Sequence, residues 1–282
     1  MLKEKKLAVA LAVLTMGGSV TCFAASTLEG YNRARVADVN YAKLYGEQAM
    51  PEAKNDPELA GIMKKYIYGD LAQQVKLTNT QRQLITIAVL AAQQNQNMLP
   101  QVIEGAYNTQ VTPLAMRETL YQLAPYIGFP KAFAALDIQN TILKKHGVKL
   151  PLAKQGTTTD TDRFQKGLNF QVSTYGERIN TMRNTTPDYQ KHLMDDLAAY
   201  CFGDTYTRGT LDYKTREMVT TAAIGASGTS NQQYKSHLAA TLAAGATKEE
   251  VIGIITTMNP YIGFPRTLNC LRIANEVFAG KK

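Results

Sequence analysis

The hexapeptide PYIGFP occurs twice in this chain, at 125–130 and again at 260–265. Proline and glycine punctuate secondary structure, so two identical strings of this kind indicate one backbone turn that is used twice. Each hexapeptide is preceded by another shared marker, YGD at 68–70 and FGD at 202–204. The repeat is therefore longer than one turn, and any fold for this chain must accommodate two similar units.

The length of the repeat distinguishes between classes of repeat protein. Matching segments, such as TQRQLITIA at 80–88 and KTREMVTTA at 214–222, lie 134 or 135 residues apart. Solenoid repeats run at about 20–50 residues, so this period predicts tandem, domain-sized units. We assign residues 30–148 to the first repeat, 161–280 to the second, and 149–160 to the linker between them.

The second repeat has a helical pattern throughout. Apolar residues recur at helical spacing over 214–226, GASGTSN at 225–231 interrupts them, and a second helix is predicted over 232–244. Thr247 and Glu250 form a capping box that opens a third helix. No segment shows sustained alternation of polar and apolar residues, so the predicted fold class is all-α.

The hexapeptide itself is expected to form a tight corner between the third and fourth helices of each repeat. Pro260 would end the third helix, the glycine would permit the bend, and Pro265 suits the first turn of the fourth. Tyr261 and Phe264 are then expected to anchor this corner in the core.

The first 25 residues are typical of a secretory signal peptide. KEKK at 3–6 precedes the apolar run LAVALAVLTM at 7–16, and small residues follow at 21–26. The apolar run is too short to span a bilayer. We therefore expect cleavage after Ala24 or Ala25, a periplasmic or secreted mature chain, and no membrane span in that chain.

The composition is that of a globular protein. Hydrophobic residues make up 45% of the chain and charged residues 19%, which is sufficient for a buried core. Removal of the signal peptide takes away three lysines and one glutamate, so the formal net charge falls from +8 to +6. The remaining basic residues are scattered and have no aromatic interleaving, so a nucleic-acid partner is not expected.

Two cysteines, Cys201 and Cys270, remain in the predicted mature chain. Their counterparts in the first repeat are Ile67 and Ala135, so both positions are expected to be apolar packing sites. Two buried free thiols are the favoured interpretation. A disulfide is the alternative, because export would place the chain where disulfides persist.

Residues 211–278 resemble the carboxymuconolactone decarboxylase family, which also includes the alkylhydroperoxidase D-like proteins. The resemblance rests on TRE at 215–217, on His237 in the next helix, on GATKEE at 245–250 and on the YIGFP corner. The first repeat resembles the same domain more weakly. The resemblance implies two tandem helical bundles of this type and a site near a subunit or repeat interface. It also implies a homo-oligomer, for which a trimer of tandem chains is the expected form.

The resemblance also implies which residues carry the chemistry. In the peroxidase branch a Cys-x-x-Cys pair precedes the helix histidine, but Ser230 and Gln233 stand at those positions here, and neither can form a thiolate. In the decarboxylase branch an acidic residue and the histidine are the expected pair, here Glu217 and His237. An antiparallel hairpin would bring them together, and such a pair suits proton transfer near neutral pH. A buried histidine bonded to a helix carboxylate is also an ordinary structural element, and that interpretation stays open.

The first repeat lacks both groups. Gln83 occupies the position of Glu217, and Ile103 occupies the position of His237. Neither an amide nor an aliphatic group exchanges protons near pH 7. We therefore expect one site per chain, with the first repeat as a structural or interface partner.

The other basic side chains are expected to have structural roles. Arg82 and Arg216, which correspond in the two repeats, suit helix packing or an ion pair. His146 and His192 are far from His237 in sequence, and the three histidines have no metal-ligand spacing. No phosphate loop or haem motif occurs either, so neither a cofactor nor a metal is expected.

These observations predict a carboxymuconolactone decarboxylase-like enzyme whose substrate is a small carboxylated lactone or a related enolisable acid. His237 would protonate the enolate left by loss of CO₂, and Glu217 would orient and charge the imidazole. The expected substrate contacts are Ser230, Gln233 and Tyr261. Two alternatives stay open: a non-catalytic small-molecule binding or assembly protein on the same fold, and a peroxidase-type activity, which the missing Cys-x-x-Cys pair disfavours.

Overall fold

Helices make up almost all of the regular structure. A computed structural model describes residues 30–280, and within that range no strand occurs. The all-α prediction is therefore confirmed. None of the described helices is long and apolar enough to cross a bilayer. The predicted signal peptide, 1–25, lies outside the described residues.

The first repeat starts with two helices that frame its outer side. These are α1 (Arg33–Tyr45) and α2 (Pro57–Lys64), with a 3-10 turn at Pro51–Lys54 between them, and α2 continues as a wider, π-helical segment, Lys65–Leu71. The remaining helices are α3 (Asn79–Ala92), α4 (Leu99–Asn108), α5 (Pro113–Ile127) and α6 (Phe129–Lys145).

The second repeat has a similar order of elements with two differences. It consists of α7 (Arg163–Tyr175), α8 (Arg178–Thr185), α9 (Lys191–Asp196) with its π-helical continuation Leu197–Tyr206, α10 (Tyr213–Ser227), α11 (Asn231–Ala243) and α12 (Lys248–Phe278). Helix α8 takes the place of the first 3-10 turn, and the counterparts of α5 and α6 run together as α12, which bends at Gly263. The helices predicted over 214–226 and 232–244 are α10 and α11, and the capping box of Thr247 and Glu250 opens α12 as expected.

The PYIGFP corners differ from the prediction in one respect. Pro125 and Pro260 lie inside α5 and α12 and do not end them. The fixed φ of proline is itself helical, so near the end of a helix proline removes one hydrogen bond without stopping the chain. The bend falls at the glycine, since Gly128 and Gly263 have φ angles of 84° and 74°, which favour glycine.

Of the two aromatic residues that were expected to anchor the second corner in the core, only one does so. Tyr261 packs against the core, as expected. Phe264 was expected to be a core anchor, but it is 61% exposed, and its counterpart Phe129 is 53% exposed. The glycine turns the backbone so that the phenylalanine at the start of the following helix points outward.

The YGD and FGD markers lie where α1 and α7 cross the π-helical segments. A Cβ on Gly69 would lie 2.6 Å from the carbonyl oxygen of Arg33, and a Cβ on Gly203 would overlap the carbonyl oxygen of Arg163. Each marker's aspartate also pairs with that arginine, Asp70 with Arg33 and Asp204 with Arg163. The glycine therefore permits the close crossing, and the aspartate fixes its position.

The two repeats share one hydrophobic core. The central helices α3 and α10 pack against each other, and residues 84–92 and 218–226 are buried throughout. Apolar side chains of both repeats belong to the same core cluster. The repeats are therefore two halves of one compact body, and each central helix is covered by helices of the other repeat as well as its own.

Candidate functional site

Glu217 and His237 meet inside the hairpin of α10 and α11. Nδ1 of His237 lies 2.8 Å from Oε2 of Glu217. Glu217 is fully buried, and His237 is 7% exposed. The expected approach of carboxylate and imidazole is therefore present in the structure.

The hairpin positions this pair through features that can be read from the sequence. Asp212 caps α10 by accepting a hydrogen bond from the backbone N–H of Thr215, and Gly228 ends the helix in the left-handed conformation. One helical turn beyond the pair, the hydroxyls of Thr221 and Thr241 lie 2.9 Å apart and join the two helices again. The spacing of α10 and α11 is thus fixed at two successive levels.

Two tyrosines contact the imidazole, and a third contacts one of them. The hydroxyl of Tyr175 lies 3.3 Å from Nδ1 of His237, and the ring of Tyr126 meets the imidazole edge-on with 5.2 Å between ring centroids. The hydroxyl of Tyr126 lies 3.0 Å from that of Tyr206 and accepts a hydrogen bond from the thiol of Cys201. Tyr126 belongs to the hexapeptide of the first repeat, so the site contains residues from both repeats.

A cavity of about 410 Å³ lies in front of the imidazole. Its walls come from α7, α8, the π-helical segment of the second repeat and α11, with Tyr126 as the contribution of the first repeat. His237 borders the cavity, and its Nε2 forms no hydrogen bond within the described part of the chain. Since Nδ1 faces Glu217, Nε2 is the nitrogen available to a bound molecule.

The cavity is largely apolar and has a single permanent charge among its described lining residues. Ile179, Met182 and Leu197 contribute aliphatic surface, whereas Arg178 contributes a guanidinium group. Cζ of Arg178 lies 4.9 Å from the centre of the Tyr175 ring, over its face. Arg178 forms no ion pair with any described residue. An apolar cavity with one unpaired cation and one histidine suits a small organic anion.

The electrostatic environment keeps the neighbouring acidic groups protonated. Burial raises the pKa of Tyr126 and Tyr206 well above the usual value, and the charge of Glu217 adds to the effect. Burial also raises the pKa of the Cys201 thiol to about 12. These tyrosines and this thiol are therefore not suited to proton exchange near neutral pH.

The two thiols are free and buried, as the sequence predicted. Burial raises the pKa of Cys270 as well. Peroxide reduction by thiol exchange requires a thiolate, and neither cysteine supplies one near neutral pH. The structure therefore gives the peroxidase alternative no nucleophile at either position.

The structure brings one of the three predicted substrate contacts to the His237 cavity and places the other two elsewhere. Gln233 lines the same cavity as His237. Ser230 lines a different cavity, of about 250 Å³, beside Cys270. Tyr261 lines a third cavity, in the first repeat, because each hexapeptide crosses to the opposite repeat. The hexapeptide tyrosine that reaches His237 is Tyr126, which belongs to the copy in the first repeat.

Several further lining residues were not predicted. Tyr175 and Arg178 flank the boundary between α7 and α8. The YGE string, which occurs at 45–47 and again at 175–177, makes Tyr45 the counterpart of Tyr175 and was a signal that could have indicated this region. Gln171 lies one turn earlier on α7 and is 3% exposed. For Tyr126 the only signal was the repeat itself, because nothing local shows that a corner serves the other repeat.

The remaining histidines lie apart from this site. His146 pairs with Glu104 at 2.6 Å and stacks on Tyr107, while His192 is exposed. Within residues 30–280, no group of three or more His, Cys, Asp or Glu side chains is placed to hold a metal ion.

Known proteins resemble both repeats. Residues 57–140 and 191–276 match the sequence profile of the Carboxymuconolactone decarboxylase family. A 4-carboxymuconolactone decarboxylase from Acinetobacter baylyi is 28% identical over 120 residues, which cover 42% of this chain and 89% of that protein. An uncharacterized 15.0 kDa protein from Paracoccus denitrificans is 30% identical over 128 residues, which cover 42% of this chain and 96% of that protein.

A solved structure extends the likeness over most of the chain. A Burkholderia xenovorans protein, provisionally assigned as a gamma-carboxymuconolactone decarboxylase subunit, superimposes with a TM-score of 0.51. The identity is 20%, and the match covers 89% of this chain and 99% of that one. At this identity the likeness concerns the fold, and it agrees with the predicted tandem helical-bundle type.

Proposed function

Because this chain belongs to the carboxymuconolactone decarboxylase family, we propose that it is a decarboxylase-like lyase with one active site, in the second repeat. The observation that carries the proposal is the 2.8 Å contact of Glu217 with His237 beside a largely apolar cavity. The proposed substrate is a small carboxylated lactone or a related enolisable acid, which the cavity volume of about 410 Å³ accommodates.

The proposed reaction separates into carbon–carbon cleavage and proton transfer. The bond between the substrate carbon and its carboxylate breaks, CO₂ leaves, and the bonding electrons remain as an enolate. His237, as imidazolium, donates the Nε2 proton to the enolate carbon and afterwards takes a proton from solvent. Glu217 accepts the Nδ1–H hydrogen bond throughout, so it holds the ring orientation and stabilises the positive charge before transfer.

We assign to Arg178 the binding of an anionic group that stays on the substrate after CO₂ has left. A cation next to the departing carboxylate would stabilise the ground state and slow its loss, whereas a cation on a retained group orients the substrate. The aliphatic lining leaves the departing carboxylate poorly solvated, which favours its conversion to neutral CO₂. Gln233 lines the same cavity and is assigned to a polar substrate contact.

Screening carboxylated lactones and β-keto acids for CO₂ release tests the proposal. With a compound that is turned over and that carries a second anionic group, Arg178→Gln should raise KM at least about tenfold, because a charge-assisted hydrogen bond is lost. Arg272→Gln is the matched control, since Arg272 is an exposed arginine paired with Glu276 on the surface. Equal KM values for the two variants, or no CO₂ release from any compound of these classes, would contradict the proposal.

We also propose that the chain assembles as a homo-trimer. The corresponding pairs Phe129/Phe133 and Phe264/Leu268 are all more than half exposed. Apolar pairs at repeat-related positions suit an interface that uses both halves of the chain. Light scattering at micromolar concentration should give three times the chain mass, and Phe264→Asp should lower it. A monomeric wild-type protein would contradict this assembly.

A further inference from the structure

The first repeat contains a cavity that corresponds to the one in front of His237. Its volume is about 370 Å³. Tyr45 and Tyr261 border it at positions that correspond to Tyr175 and Tyr126 in the second repeat. The two cavities therefore have similar aromatic walls, although the first has Gln83 in the place of the glutamate.

The charges that border this cavity are all positive. Arg82 and Lys43 are the charged residues among its described lining residues, and no acidic residue is among them. Nε of Arg82 is buried and has no hydrogen-bond partner within the described chain. The side chain of Lys43 is exposed at the rim and also forms no ion pair with a described residue. The cavity therefore has positive charge that no described residue neutralises.

The corresponding arginine of the second repeat has several protein partners, although its Nε, like that of Arg82, has none within the described chain. The Arg82 side chain, by contrast, forms no hydrogen bond or ion pair with any described residue. Arg216 is 1% exposed and donates hydrogen bonds to Oε1 of Gln122, at 3.0 Å, and to the carbonyl oxygen of Arg208, at 2.7 Å. The carboxylate of Glu118 lies 4.0 Å from its guanidinium group. In the second repeat this arginine therefore serves packing and an ion pair, as the sequence analysis expected.

The residues that pair with Arg216 have no equivalents beside Arg82 in the first repeat. Residues 135 positions after Glu118 and Gln122 are Gly253 and Thr257. A Cβ on Gly253 would lie 3.0 Å from Cγ of Leu77, so an apolar side chain fills the place of the glutamate. The hydroxyl of Thr257 donates to the carbonyl oxygen of Gly253 at 2.8 Å. Arg82 has thus lost both a carboxylate and an amide partner.

An arginine in this setting is costly unless an anion accompanies it. Arg82 is partly buried. Removing a guanidinium group from water without a partner is unfavourable, and charges with little access to solvent are normally paired. Burial lowers the pKa of Arg82, and no neighbouring carboxylate offsets this effect. A retained arginine without its protein partners therefore indicates that the counter-charge comes from a ligand.

We propose that the cavity of the first repeat is a binding site for a small aromatic carboxylate. The carboxylate would pair with Arg82 and Lys43, and the ring would lie against Tyr45 and Tyr261. Gln83 cannot donate or accept a proton in a reaction near pH 7, so this site holds its ligand without turnover. The inference does not depend on the reaction proposed for His237.

Isothermal titration with 4-hydroxybenzoate tests the proposal, with 4-hydroxybenzyl alcohol as the neutral counterpart. Arg178→Gln removes the only permanent charge among the described lining residues of the second-repeat cavity, so the binding that remains in this variant should come from the first repeat. Adding Arg82→Gln should then lower the affinity at least about tenfold. Arg82→Lys, which keeps the charge, should retain more of the binding than Arg82→Gln.

The outcome that overturns the proposal is equal binding of 4-hydroxybenzoate to the Arg178→Gln variant with and without Arg82→Gln. Equal binding of the neutral alcohol, or no binding to the Arg178→Gln variant, would overturn it as well.

A second readout separates a binding role from a structural one. If Arg82 is an unpaired charge, Arg82→Gln should unfold in urea at no lower concentration than the wild type, whereas loss of a structural ion pair would lower the midpoint. CO₂ release from the His237 site is measured separately, so the two proposals can fail independently.

Discussion

Cys201 borders the cavity in front of His237, yet its thiol is held in the protonated form. It is 5% exposed and donates to the hydroxyl of Tyr126 at 3.6 Å. Burial raises its pKa from 9.0 to about 12. The residue therefore acts as a small apolar wall of the site, in the position where the first repeat has Ile67.

This raised pKa predicts a specific dependence of stability on pH. The unfolded thiol ionises near pH 9 and the folded thiol near pH 12, so the contribution of Cys201 to stability is complete below pH 9 and is lost between pH 9 and 12. Relative to Cys201→Ala, the wild type should lose about 1.4 kcal/mol of unfolding free energy between pH 8 and pH 10. Urea denaturation of both proteins measures this. A difference that does not change with pH would show that the thiol is not held neutral.

Tyr126 and Tyr261 show what a local pattern leaves undetermined. Tyr261, in the same repeat as His237, was predicted to contact the substrate there. In the structure the two hexapeptides cross, so Tyr126 borders the His237 cavity and Tyr261 borders the cavity of the first repeat. The choice between them depends on how the two repeats pack, which no local spacing contains. The pairing of Glu217 with His237, by contrast, follows from one hairpin and was predictable.

At the scale of elements, local signals predicted most helix boundaries of the second repeat. The capping box of Thr247 and Glu250 and the break at Gly228 are both present. The predicted end of the third helix at Pro260 was wrong, because a proline near the end of a helix does not have to stop it. The π-helical segments Lys65–Leu71 and Leu197–Tyr206 had no recognised signal, although both border cavities. Such segments are set by packing, and they occur often at functional sites.

The crossing of α7 over the second π-helical segment should be sensitive to one methyl group. A Cβ on Gly203 would overlap the carbonyl oxygen of Arg163, so Gly203→Ala has to push two backbones apart. We expect a loss of at least about 2 kcal/mol of unfolding free energy, measured by urea denaturation.

Gly61→Ala is the matched control for this substitution. Gly61 lies inside α2, and a Cβ there would have no atom within 4 Å. Alanine is the better helix former, so this variant should be as stable as the wild type or more stable by up to about 1 kcal/mol. Similar destabilisation by both substitutions would show that the crossing at Gly203 is not the cause.

At the scale of the whole molecule, duplication has produced two halves with one core and unequal sites. The second half has Glu217 and His237, and the first has Gln83 and the fully buried Ile103 at the same positions. The period of the repeat predicted this duplication, and the residues at matching positions predicted the inequality. It did not predict the shared core, since the sequence pattern of a buried helix is the same whichever half covers it.

The most direct test of a single active site is the rate of CO₂ release by His237→Gln and by Gln83→Ala on a substrate that the wild type turns over. Circular dichroism must first show that both variants are folded. His237→Gln should lose at least about 10²-fold in kcat, because general acid catalysis is removed. Gln83→Ala should keep kcat within about twofold and change stability by about 0.5–3 kcal/mol. If Gln83→Ala lost activity as completely as His237→Gln, the account of one site in the second repeat would be wrong.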